Sequence, residues 1–231
     1  MKKLLLIVVV LVAAAVAAYF TLQNPLGRLV KLAVEEFGPE MTQATVKVSR
    51  VEISATDGRG AMSGLFLGNP KGFKSDYALK AGTIEIDLEP ASLAKDVIVI
   101  HKILIDAPQI GYEKAGNITN FDAIQRNVEA YLGTKGGKGG KSGGKRMNID
   151  SFVIRNAKVN YNGILELKLP DIELRNVGRK TGGASSAQVV KAIIAELNTQ
   201  LALALAKAAV IGSVGGVAVG AGVAIKGLFD K

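Results

Sequence analysis

The alternation of apolar and polar residues changes period several times along this chain, and each change marks an element. Residues 4–20 are uninterrupted apolar positions, mostly Leu, Val and Ala, with Lys2 and Lys3 ahead of them and no further charge until Arg28. A run of about 17–20 such residues is long enough to cross a bilayer as a helix. The lysines on the short side predict a cytoplasmic N-terminus. Two readings stand. Residues 1–22 form a retained anchor, favoured because apolar positions continue through Ala18, Tyr19 and Phe20, or they form a signal peptide cleaved after Ala15-Val16-Ala17. Both place the remaining body outside the cytoplasm.

Residues 23–39 read as an amphipathic stem. Leu29, Val30, Leu32, Ala33 and Phe37 share a helical face, and Gly38-Pro39 is expected to stop the helix. The stem is read as packing on the body rather than lying on a bilayer. From Ala44 the period becomes two. Val46, Val48, Val51 and Ile53 alternate with polar residues, and residues 83–88 (TIEIDL) place Ile84, Ile86 and Leu88 on one side. Residues 97–105 (VIVIHKILI) are apolar on both sides, as in a covered strand. Asn162-Gly163 between alternating segments predicts a two-residue hairpin.

A repeat runs through this region. The segment from Ile100 to Tyr112 aligns without a gap to the segment from Ile149 to Tyr161, and every apolar position matches. A weaker third copy begins at Val48. Each unit reads as a bent strand pair with one apolar face, and stacked units would give a continuous apolar surface. Beyond Gly182-Gly183 the pattern is helical. Ser185 and Gln188 suit a capping box, and Val190, Ile193, Ile194, Leu197, Leu201 and Leu205 form a stripe. The uncharged stretch 208–225 carries Gly212, Gly216 and Gly220 at four-residue spacing. A second span, a membrane hairpin and a plug over the sheet all fit it. Packing on the β body or lying at the membrane is preferred.

Composition narrows the chemistry. The chain has 231 residues, a formal net charge of +9, no Cys, no Trp and one His. Residues 133–146 hold seven glycines, four lysines and one arginine, without an acid, and read as a basic loop lacking core residues. The lone His101 has no second His or Cys to complete a metal site or a nucleophile–base pair. Asp57-Gly58-Arg59-Gly60 reads as a turn, outside the strand–helix setting of a phosphate loop. The basic residues lack interleaved aromatics, which argues against nucleic acid. No catalytic constellation and no cofactor site emerge.

Residues 64–73 (GLFLGNPKGF), then Ala78-Leu79, residues 83–88, Ser92-Leu93, residues 97–105, Pro108 to Glu113 and Thr119-Asn120 resemble the AsmA-like family. The resemblance runs from the N-terminal segment to about Gly178. It implies an inner-membrane anchor, a periplasmic β-groove, and a role in lipid homeostasis or assembly of the envelope. The expected fold is therefore mainly β with terminal α-helices. An elongated, twisted antiparallel sheet or groove over residues 40–180 would follow the N-terminal helix and precede a C-terminal helical part at 185–231. Acyl chains would lie against Ile84, Ile86, Leu88, Ile103, Ile105, Leu165, Leu167 and Leu169. Lys135, Lys138, Lys141, Lys145 and Arg146 would meet anionic head groups. Membrane lipids are the expected partners. The alternative is an envelope scaffold that binds a protein through a sheet edge.

Overall fold

The computed structural model describes residues 25–135 and 145–214, so the anchor expected at 1–22, most of the basic loop and the Gly-rich tail lie outside the described residues. Pro25 opens helix α1 (Pro25–Thr42), at a position where the missing N–H costs nothing. Gly38-Pro39 does not stop the helix. Thr42 Oγ1 donates to the Gly38 carbonyl over 2.8 Å and Gln43 N donates to Pro39 O over 2.9 Å. These bonds carry the last turn past the proline, and Gln43 ends it with a φ of 54°.

Short strands β1 (Val46–Lys47) and β2 (Arg50–Ile53) follow, then β3 (Arg59–Leu67), β4 (Leu79–Leu88), β5 (Val97–Asp106) and β6 (Gln109–Tyr112). A small hairpin of β7 (Lys114–Ala115) and β8 (Ile118–Thr119) leads into helix α2 (Asn120–Lys135). Strands β9 (Arg146–Arg155), β10 (Lys158–Tyr161), β11 (Leu165–Lys168) and β12 (Ile172–Val177) complete the sheet before helix α3 (Ser186–Val214). The protein is mainly β, a sheet curled into a half-barrel with three helices. Two element boundaries shift from expectation. Both ends of the stretch expected as a basic loop, residues 133–146, are regular structure, because α2 runs to Lys135 and Arg146 already belongs to β9. The hairpin between β10 and β11 has three residues, because Tyr161 pairs with Leu165; Asn162 and Gly163 both take the positive φ their dipeptide favours.

Ten strands behave as six long ones, because most are halves of a single creased strand. Strand β5 continues into β6 through Ala107-Pro108, β9 into β10 through Asn156-Ala157, and β11 into β12 through Leu169-Pro170-Asp171. The breaks line up across the sheet. Thr83 pairs with Asp106 and Lys80 with Gln109, so Gly82 lies beside Ala107-Pro108, while Gly64 interrupts β3 alongside Gly82. The gap between β1 and β2 at Val48-Ser49 continues the same line. Positive φ at Gly64, Ala107 and Asn156 turns the backbone there. One crease thus crosses the whole sheet and curls it.

The repeat has a direct structural meaning. Strand β5 pairs with β9 and β6 with β10, in parallel, with Ile100 opposite Ile149, Ile103 opposite Phe152 and Tyr112 opposite Tyr161. Equivalent residues of the two copies are therefore cross-strand neighbours. This corrects the expectation of a wholly antiparallel sheet. A parallel pair needs a long crossover, and α2 supplies it. The third copy does not stack on the other two: β2 is the edge strand, antiparallel to β3 and separated from β5 by β3 and β4.

The core lies between the sheet and the helices. Ile105, Ile110, Ile154, Val159, Leu169 and Ile172 from the sheet pack with Phe121, Ile124 and Val128 of α2 and with Ile194, Leu197, Leu201 and Leu205 of α3. The rings of the repeat-equivalent Tyr112 and Tyr161 stack at 5.9 Å between centroids, and Phe121 stacks on Tyr112 at 5.8 Å. The Ser185–Gln188 capping box forms: Ser185 N donates to Gln188 Oε1 over 2.8 Å, and Gln188 N to Ser185 Oγ over 3.3 Å. Residues 186–208 of α3 are long and apolar enough to span a membrane by composition, and they are the one such stretch among the described residues. The stripe on that helix nevertheless faces the core.

Candidate functional site

One cavity of about 400 Å³ has an almost wholly apolar wall. Strand β4 supplies Ile84, Ile86 and Leu88 from its alternating side. In register with them stand Met62 and Gly60 of β3 and Ile103 of β5. Val51 and Ile53 of the edge strand close one flank, Leu26 and Val30 of α1 another, and the turn Pro90–Ala94 adds Pro90 and Leu93. Gly60 makes the space: a Cβ there would come within 2.9 Å of Ile86 Cγ2. The volume falls within the range of about 300–1,000 Å³ common to small-ligand sites.

The eight residues expected to form an apolar surface do not all meet here. Ile84, Ile86, Leu88 and Ile103 line the cavity. Ile105 and Leu169 are buried in the core, and Leu165 and Leu167 are half-buried against it, beyond the crease and under α3. Of the five basic residues, Lys145 donates to the Leu93 carbonyl and Arg146 N donates to Asp96 O over 3.1 Å. Lys135 ends α2, and Lys138 and Lys141 lie outside the described residues. Sequence reasoning missed Leu26, Val30 and Leu93. The signal was available for α1, whose apolar stripe was read as a packing face.

A mixed surface adjoins the apolar cavity and shares Ile53, Gly60, Ala61 and Ile86 with it. A second cavity of about 750 Å³ is bordered by Arg50, Arg59 and Lys102 together with Glu52, Glu85 and Asp87. Glu85 and Asp87 alternate with Ile84, Ile86 and Leu88, so β4 presents apolar and charged residues to opposite sides. Arg59 and Ser54 border both cavities at the end of the sheet where β2 turns into β3.

The Asn69-Pro70 segment turns out to be a clamp. Asn69 Nδ2 donates to Ser75 O and Ser75 Oγ over 2.7 and 2.8 Å, and Asn69 Oδ1 accepts from Asn120 Nδ2 over 2.7 Å. Asn120, fully buried, also donates to Gly111 O and accepts from Glu113 N and Phe121 N, while Thr119 and Asp122 cap α2 reciprocally at 2.9 and 3.0 Å. Glu113 accepts from Lys74 N, Ser75 N and Ser75 Oγ at 2.7 to 2.9 Å. Burial pushes its carboxyl pKa up, but the hydrogen bonds from Ser75 and Lys74 outweigh that and hold it below the ordinary value. Burial drives the Tyr112 phenol up to about 12, and its hydroxyl donates to Asn198 Oδ1 over 2.8 Å. Both interactions fix loops and helices to the sheet.

His101 is half-exposed, at a bulge where β4 shifts register between Asp87 and Leu88. Its Nδ1 stands 3.3 Å from Oδ2 of the repeat-equivalent Asp150, whose Oδ1 accepts two bonds from Arg179 at 2.7 and 2.9 Å. Burial raises the Asp150 pKa, and the bonds from Arg179 and His101 more than reverse this. Among the described residues no group of three or more His, Cys, Asp or Glu side chains could hold a metal.

No protein-family model matches the chain, and no curated protein matches it. The AsmA-like likeness therefore rests on the sequence segments given above.

Proposed function

We propose that this is a non-enzymatic, AsmA-like envelope protein that binds acyl chains in the apolar cavity bordered by Ile84, Ile86, Leu88 and Ile103, and so holds or helps transfer membrane lipids. The cavity would be one end of a lipid groove. The observation that carries the reading is the wall itself: an apolar pocket of about 400 Å³ is a poor site for a polar metabolite and a good one for hydrocarbon. Each methylene taken out of water contributes about 0.8 kcal/mol. The adjoining second cavity offers charged groups of both signs for a head group near Arg59. The sequence adds an N-terminal anchor in the inner membrane and a body in the periplasm.

Native mass spectrometry with lipid extraction, after gentle detergent purification of the full chain, tests this. The expected result is co-purified phospholipid, reduced in Ile86→Asp while circular dichroism keeps its wild-type melt, because the carboxylate in an open cavity reaches water. Wild-type protein that never carries lipid would sink the reading. The scaffold alternative draws on one feature: β11 and β12 are the last strands of their edge and pair on one side only. A stoichiometric protein partner, together with an empty cavity, would favour it.

A further inference from the structure

Helix α1 packs on the sheet with the wrong side, if packing were its purpose. The side turned to the sheet carries few large apolar residues: Gly27 is buried there, Ala33, Val34 and Met41 are half-buried, and Lys31 and Glu35 reach the edge strands. Lys31 Nζ donates to the carbonyls of Val48 and Ser49 over 2.6 and 3.0 Å, and Glu35 Oε1 accepts from Val48 N over 3.0 Å. These bonds satisfy the edge backbone where the crease interrupts β1 and β2. Most of the large apolar residues stay exposed. Of nine large apolar side chains left exposed among the described residues, five belong to α1: Leu26, Leu29, Val30, Leu32 and Phe37. A sixth, Leu93, stands with Leu26 and Val30 around the apolar cavity. Exposed patches of this kind mark contact with another apolar phase.

Two observations say which phase. Only residues 21–24 separate Phe20, the end of the apolar N-terminal run, from Pro25, so the first turn of α1 stands within about 18 Å of that run even with the link fully extended. The patch also has a cationic border: Arg28 is exposed on the same turns, and Lys145 is bonded to the Leu93 carbonyl. The acids Glu36 and Glu40 occupy the far half of the helix, where Tyr131 of α2 donates to Glu40.

We propose that the first half of α1 and the turn carrying Leu93 rest in the interface of an anionic bilayer. Leu26, Leu29, Val30, Leu32 and Leu93 dip into the boundary between head groups and acyl chains. The cavity then opens onto lipid rather than water. That last consequence rests on the lipid-binding reading, and the docking rests on the N-terminal run being the membrane anchor of the proposed function. Loading from such a mouth needs no passage of an acyl chain through water.

The chain has no cysteine, so a single introduced thiol reports one place. Leu29→Cys, Leu93→Cys and, as a control at the 77% exposed turn between β10 and β11, Ile164→Cys would carry an environment-sensitive dye. The full chain would be placed in nanodiscs of phosphatidylcholine with phosphatidylglycerol. Dyes at 29 and 93 should be quenched by lipids spin-labelled near the head group and be several-fold less accessible to aqueous iodide than the dye at 164. Position 93 decides, because it is remote in sequence from the N-terminal run. Iodide access at 93 equal to that at 164 overturns the proposal. So does protection at 93 that persists in detergent without lipid and grows with protein concentration, which would assign the patch to a second copy. Wet dyes on protein that still co-purifies lipid would reject docking alone; buried dyes on protein without lipid would reject the cavity reading alone.

Discussion

At the scale of single residues, two side chains carry predictions that do not depend on any ligand. Glu113 is held ionised by the loop it clamps, so its folded pKa lies below its unfolded one. The stabilisation is fully present above the ordinary carboxylate range and is lost as pH falls through the lowered folded value. Thermal melts from neutral pH down to about 3 should show this loss in the wild type and a flatter profile in Glu113→Gln. A Glu113→Gln profile identical in slope would mean that the clamp contributes nothing. Ala107 takes a φ of 48° at the crease, which costs a residue with a Cβ about 1–2 kcal/mol. Ala107→Gly should raise stability by about 1 kcal/mol in urea melts, because relief of that strain exceeds the added freedom of the unfolded chain. The repeat-equivalent Asn156 already suits the same conformation and should gain less. The sequence announced the bend at these positions through Pro108 and the repeat. It did not announce the pairing of His101 with its repeat-equivalent Asp150 at 3.3 Å, because the repeat shows which residues correspond and not that the two strands are neighbours.

At the scale of elements, the pattern of apolar positions was a sound guide to which face is apolar and a poor one to what that face meets. The stripe on α3 meets the core, while most of the stripe on α1 (Leu29, Leu32, Phe37) stays exposed and Val30 only borders the apolar cavity. Their sequences look alike because periodicity records the stripe and not its partner. Leu201 is 2% exposed beneath α3, and Leu203, two residues on, is 50% exposed. Leu201→Ala should cost about 2–5 kcal/mol in a denaturant melt, through lost transfer energy and the space left behind. Leu203→Ser should stay within about 0.5 kcal/mol of wild type. A large loss at Leu203 would show that α3 buries its outer side against something further, such as a membrane. In the sheet, half of the proposed surface was legible as one site because β4 alternates cleanly. Leu165 and Leu167 lie elsewhere because the crease carries β11 under α3, and no local pattern records how far apart two creased halves end; Ile105 pairs with Ile84 but is buried in the core.

At the scale of the whole molecule, the repeat was legible and its geometry was not. Side-chain alternation fixes which residues share a face, but it reads the same for a parallel and an antiparallel neighbour. Replacing residues 136–144 with a neutral Gly/Ser linker of equal length should leave the thermal midpoint unchanged, since the stretch consists of Gly, Lys and Ser and has no apolar side chain to bury. If the basic residues meet head groups, the same change should weaken binding to anionic vesicles, most at low salt. A fallen midpoint would show that the stretch is part of the fold. The parallel pairing also has a kinetic side. Asp106 and Arg155, joined across the two copies at 3.0 Å, are 49 residues apart, so this pairing waits until a long loop has closed. Closure entropy grows only logarithmically, by about 0.6 kcal/mol for each doubling of the loop. An insertion as long as the repeat itself, placed among the glycines, should therefore slow the refolding step by only about threefold in stopped flow, leaving room in the chain for a whole extra module between the paired strands.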